Sequence, residues 1–218
     1  MTNFTQFFRS TIGRKLLMGF TGLFLCSFLV VHFAGNLLLF RSDNGVAFNQ
    51  YAEFMASNPA IRTMEIGLFL GLMVHIALGI RLWLANRRVR PEQYKVNAGS
   101  DTSSLASRVS FLSGSILFIF LVIHLRTFFV PSRFSSSEVS MYHLVQDAFA
   151  SPLYSLFYLV ALALLGYHLR HGFQSAFQTF GLRGKRYLPL IEMVGFIFWF
   201  LIPLGFAAMP LFFYFGLS

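Results

Sequence analysis

Long apolar stretches separated by short polar ones dominate the chain. Read in order, the pattern predicts five membrane-spanning helices, at residues 16–40, 61–85, 108–130, 152–177 and 188–215. Each holds about 20 or more residues, the length a helix needs to cross a hydrocarbon core of about 30 Å. A short basic amphipathic segment precedes the first. The connectors at 41–60 and 131–151 are polar, and the former carries an interfacial helix around Asn49–Ala56. The loops at 86–107 and 178–187 are basic. The expected fold is therefore an all-α integral membrane protein, a single domain over residues 1–218, with five transmembrane helices in a bundle.

Composition supports a membrane protein. Of 218 residues, 56% are hydrophobic and only 11% charged, where soluble domains run near a quarter charged. The formal charge of +9 does not point to nucleic acid, because the basic residues sit in short runs between apolar segments. Such runs orient a membrane protein instead. The N-terminal segment, with Arg14 and Lys15, the loop with Arg87, Arg88, Arg90 and Lys95, and the turn with Arg183, Lys185 and Arg186 all fall on one side. That side is expected to be cytoplasmic, which puts the N-terminus inside and the C-terminus outside. The single cysteine, Cys26, offers neither a disulfide nor a covalent haem attachment site.

Histidine placement gives the chemistry. The first four spans each carry a deep histidine: His32, His75, His124 and His168. Counting from the connector end of each span at about 1.5 Å per residue, His32 and His124 lie about 16 and 10 Å deep, and His75 and His168 both about 24 Å deep. The four thus form an outer pair and an inner pair. In the run Gly67–Gly79, Gly67, Gly71, His75 and Gly79 recur every four residues and share a helix face, which suggests room for something flat beside the imidazole. Two pairs at two depths fit two haems, each held by two imidazoles. With both axial positions filled, the chemistry would be electron transfer. Buried histidines also serve as interhelical hydrogen-bonding groups, but one on each of four spans, in two matched levels, favours ligation. His143 falls in a connector and reads as an interfacial residue. His171 lies one turn beyond His168, and Gly172 repeats the spacing of His75 to Gly79, so His168 reads as the ligand and His171 as its neighbour.

Several motifs together resemble a known family. They are Ser10-Thr-Ile-Gly-Arg-Lys15 before Thr21-Gly22-Leu23, His32-Phe-Ala-Gly-Asn36, His75-x-x-x-Gly79-Ile-Arg81, His124 late in the third span, and His168-x-x-x-Gly172. In this order the chain resembles the cytochrome b membrane subunit of succinate dehydrogenase and fumarate reductase, in its single-chain, five-helix, two-haem form. The resemblance implies two haem b groups, His75 with His168 for the inner one and His32 with His124 for the outer. It also implies a flavoprotein subunit and an iron–sulfur subunit docked on the cytoplasmic face of a bacterial inner membrane. Electrons would pass from succinate through the clusters and haems to menaquinone or another quinone, or in reverse to fumarate. Some relatives carry a glutamate two residues before the span-four histidine, proposed as part of a proton path; here that residue is Gly166.

By position, Ser10, Arg14, Lys15, Arg81 and Arg170 with His171 are candidate partners for the inner haem's propionates. Asn36 and Arg126 are candidates for the outer haem, and Glu53 and Glu65 are candidate carboxylates of an outer quinone site. Two alternative readings are a haem b anchor of another quinone-linked dehydrogenase, such as hydrogenase or formate dehydrogenase, and a haem-free transporter or scaffold. The latter usually shows an internal repeat or broken helices. Neither a repeat nor Pro-Gly-broken spans in corresponding halves is present, although Pro203 and Pro210 are expected to bend span five.

Overall fold

The computed structural model describes Gln6 and residues 10–88, 103–134 and 140–217, with side chains described at Gln6 and residues 10–87, 110–134 and 140–217. Arg90 and Lys95 of the basic loop and Glu138 of the second connector lie outside the described residues, as does the side chain of Arg88. All regular structure among the described residues is helical. Five helices are long and apolar enough to cross a membrane: span one Thr11–Phe40, span two Pro59–Arg87, span three Ser110–Phe134, span four Pro152–Thr179 and span five Leu188–Tyr214. Two shorter connector helices, Val46–Ser57 and Met141–Ala150, follow spans one and three.

Span ends follow their capping chemistry. Span one starts five residues before its apolar run because Ser10 caps it, its Oγ accepting the Gly13 N–H at 2.9 Å. Ser151 caps span four, with Pro152 in the first turn. That span ends where Gly181 turns left-handed (φ 72°) and Leu182 N–H reaches back to the Phe177 carbonyl at 3.0 Å. Spans three and five do not break at their prolines. Each instead carries one wide π turn, Leu125–Phe129 before Pro131 and Ile197–Leu201 before Pro203. Proline has no N–H to donate and crowds the carbonyl four residues back, and a π turn absorbs the misfit while the helix continues.

Spans one to four form a ring in which one packs on two, two on three, three on four and four on one. Span five lies outside it, against spans four and one. Spans one and three therefore face each other across the axis, as do spans two and four. Lipid tails supply no hydrophobic force between helices, so contact depends on close fit at small residues. Gly166 shows this: a Cβ there would lie 2.6 Å from the Trp199 carbonyl, which the π turn of span five directs at span four. In this packing the position excludes a glutamate.

The connector half is the more tightly packed. Leu39, Phe48, Tyr142, Phe149, Tyr158, Phe206 and Phe213 belong to one buried cluster that joins the connector helices to spans one, four and five. Asn49 ties the two connector helices together. Its amide donates to Ser140 Oγ at 3.1 Å and its carbonyl accepts the Tyr142 N–H at 3.0 Å. Gly45 begins the first connector helix at φ 78°, and a Cβ there would overlap the Tyr142 ring. Gly45→Ala should therefore destabilise the protein by about 1–3 kcal/mol through backbone strain, with the overlap adding to it. Gly181→Ala, at φ 72° in open space, carries only the strain. Equal losses in thermal unfolding of the two variants would show that Tyr142 moves aside.

Candidate functional site

The deep histidines meet across the two diagonals of the ring. His32 of span one faces His124 of span three, with ring centroids 5.8 Å apart and planes at 88°. His75 of span two faces His168 of span four at 6.4 Å and 69°. An imidazole nitrogen binds a metal at about 2 Å and lies about 1 Å from its ring centroid, so two imidazoles on opposite sides of one metal have centroids about 6 Å apart. Both pairs match that separation. No group of three or more His, Cys, Asp or Glu gathers among the described residues, so these constellations are pairs.

The vertical spacing of the pairs can be read from two spans. Thr21 touches His75, and His32 lies eleven residues further along span one, about 16 Å. Tyr158 touches His124, and His168 lies ten residues further along span four, about 15 Å.

The neighbours of the rings determine which nitrogen is left for a metal. Thr21 Oγ1 lies 3.2 Å from His75 Nδ1, and its single proton is donated to the Leu17 carbonyl (2.9 Å) or the Met18 carbonyl (3.1 Å). The hydroxyl can then only accept from Nδ1–H. Ser113, which is fully buried, repeats the arrangement. Its Oγ donates to the Ser110 carbonyl at 3.0 Å and lies 3.5 Å from His168 Nδ1. At His124 the partner is Tyr158 Oη, 3.0 Å from Nδ1. A neutral imidazole protonated at Nδ1 keeps its lone pair on Nε2, the form a metal-binding histidine takes. His32 differs: the Asn36 amide donates to the His32 carbonyl at 2.8 Å and lies 3.5 Å from Nδ1.

Clearance beside the inner rings comes from the neighbouring helices. A Cβ at Gly22 would lie 3.4 Å from His75, and one at Gly114 3.5 Å from His168. Gly71 packs on Phe24 and Gly79 lies near Met18, while Gly67 and Gly172 face open space. The outer rings are packed with aromatics: Phe28 and Phe206 against His32, and Phe120 and Phe128 against His124.

The remaining candidate residues are dispersed. Arg14 is half-buried and Lys15 exposed at the start of span one, Arg81 is exposed two turns beyond His75, and Arg126 is exposed within the π turn. Arg170 turns toward span five, with its guanidinium 5.2 Å over the Trp199 ring. His171 lines a groove of about 210 Å³ with Tyr167, Arg170 and Gln174. His143 is exposed and bonded to Gln146 within its own connector helix. Glu53 is exposed. Glu65 is bound by two arginines, Arg62 at 2.8 Å and Arg133 at 2.8 Å.

Sequence reasoning missed Ser113, Tyr158, Tyr154, Arg133 and the role of Thr21. The one available signal was a repeated hydroxyl–glycine pair, Thr21-Gly22 and Ser113-Gly114, each set against a histidine of the next span. No protein-family model, curated protein or solved structure matches this chain.

Proposed function

We propose that the protein is the membrane-anchoring, dihaem cytochrome b subunit of a succinate dehydrogenase or fumarate reductase, exchanging electrons with a membrane quinone, menaquinone in the first instance. The observation that carries the haem assignment is the pair of diagonal histidine contacts at 5.8 and 6.4 Å, the separation two imidazoles take on one metal. The residues present fit haem b: His75 and His168 would hold one and His32 and His124 the other. Haem supplies one-electron transfer when bound. What the chain itself does is fix the four rings. With Thr21, Ser113 and Tyr158 accepting from Nδ1–H, three of them would keep Nε2 free for a metal, and the ring of four spans holds each pair at its separation.

The choice of enzyme complex rests on the ordered motifs that resemble the family, from Ser10-Thr-Ile-Gly-Arg-Lys15 to His168-x-x-x-Gly172. On this reading the N-terminus and the basic loops face the bacterial cytoplasm, where flavoprotein and iron–sulfur subunits dock, and the connector helices face outward. Gly166, filled by the Trp199 carbonyl, leaves no space for a span-four proton carrier at that position.

A reduced-minus-oxidised absorption spectrum of the purified protein, with haem extracted and counted, tests the proposal. Two b-type haems per chain are expected. Their absence from protein made in a haem-replete host would overturn it. With two haems present, succinate–quinone activity on adding the soluble partner subunits distinguishes this complex from another quinone-linked dehydrogenase.

A further inference from the structure

The outer histidine of span three stands at the head of a hydrogen-bonded chain that, among the described residues, none of the other three has. His124 Nδ1 lies 3.0 Å from Tyr158 Oη, Tyr158 Oη lies 3.1 Å from Tyr154 Oη, and Tyr154 Oη donates to Thr127 Oγ1 at 3.0 Å. A phenol has one proton. Tyr154 uses its proton on Thr127, so the bond between the tyrosines must be donated by Tyr158. Tyr158 is then left only its lone pairs for His124, and Nδ1 must carry the hydrogen. The direction that satisfies all three contacts runs His124 to Tyr158 to Tyr154 to Thr127.

The relay is dry at Tyr158, while Tyr154 and Thr127 are partly exposed. Tyr158 is 5% exposed, with the rings of Phe120 and Phe149 each 4.9 Å away at steep angles. In a low-dielectric interior successive hydrogen bonds polarise one another, so a phenol that already donates is a stronger acceptor. The other partners are single steps: Thr21 and Ser113 end on backbone carbonyls, and Asn36 on the carbonyl of His32 itself.

We propose that Tyr158, backed by Tyr154 and Thr127, is a positioning residue for His124. It fixes the ring's tautomer and draws on Nδ1–H, which raises the basicity of Nε2 toward a metal. Resting on the haem reading above, this means that the outer iron is held in its oxidised state more firmly than an imidazole without the relay would hold it. The two levels are thereby made unequal by a feature of span four, which carries His168 for the inner pair and Tyr158 for the outer.

The test is a potentiometric titration of the full chain carrying its haems, wild type against Tyr158→Phe and Tyr154→Phe. At the wild-type midpoint of the outer haem, Tyr158→Phe should lower the oxidised-to-reduced ratio about three- to tenfold, a rise of about 30–60 mV for a one-electron couple. The inner haem should not move. Tyr154→Phe, which leaves the His124 partner in place, should shift the same haem in the same direction by less. An unchanged outer midpoint in Tyr158→Phe with both haems bound would overturn the inference. A wild-type protein without haem would overturn the proposed function instead. Should Tyr158→Phe fail to fold, Tyr154→Phe and a second readout decide. Nitrogen-15 spectra of histidine-labelled, haem-free protein, assigned with His124→Gln, should show His124 protonated at Nδ1. Protonation at Nε2 would sink the relay.

Discussion

If the protein holds the two haems proposed, replacing His168 with alanine should remove one haem and leave the other in place. The expected count falls from two per chain to one, and His75→Ala should give the same count with the same residual spectrum. His32→Ala and His124→Ala should also leave one haem, but the other one. The two levels lie about 15 Å apart along spans one and four, beyond the range at which substitutions usually couple. Double variants make the test sharper. Within a level, removing the second ligand should add nothing, because its partner has already been lost. Across levels, His75→Ala with His32→Ala should empty the protein. If His75 and His32 proved equivalent to each other, the diagonal pairing would be wrong. If the histidines only hydrogen-bond between helices, there would be no visible absorbance to lose, and each substitution would cost the roughly 0.6–1.7 kcal/mol measured for such bonds in membranes.

The two diagonal ring contacts were legible in the sequence because helical depth is residue counting. A fixed rise per residue and a polar connector at each span end were enough to match His32 with His124 and His75 with His168. The five spans were legible for the same reason. The end of span one and the starts of spans four and five were legible too, but the start of span one and the end of span three were not, because they depend on local chemistry outside the apolar run: the Ser10 cap extends span one, and a π turn carries span three past Pro131 to Phe134. The partners of the rings were hidden for a different reason. Ser113 and His168 are 55 residues apart, and Thr21 and His75 are 54. Only the order of helices around the ring brings them together, and no local periodicity encodes that order. Glycine spacing was read on the histidines' own helices, whereas the glycines that touch the inner imidazoles, Gly22 and Gly114, lie on the next helix round.

Glu65→Gln should be the most destabilising single charge change on the connector side. Arg133 lies just past the predicted end of span three, but the helix continues and carries it inward, where its side chain is 12% exposed and that of Glu65 17%. The guanidinium donates to Glu65 at 2.8 Å and to the Met55 carbonyl at 3.4 Å and sits over the Phe129 ring, while its Nε is buried without a partner among the described residues. One carboxylate thus neutralises a largely buried cation and ties span two to span three, while Met55 brings in the first connector helix. Taking the charge from Glu65 strands Arg133, at a cost of about 3–5 kcal/mol. For a chain of this size that is a fall of about 6–20 °C in Tm. Arg133→Met should cost less, because Glu65 keeps Arg62, which is exposed enough to follow it into water. The double variant Glu65→Leu with Arg133→Met removes both charges and should recover most of the loss, since a buried pair replaced by apolar side chains is often neutral. Glu53→Gln, on the exposed face of the connector helix, should leave Tm unchanged, so any change it makes in quinone turnover would be a direct effect. If Glu65→Gln instead unfolds at the wild-type temperature, the carboxylate is not neutralising Arg133, and its place as a quinone-site residue becomes the stronger reading.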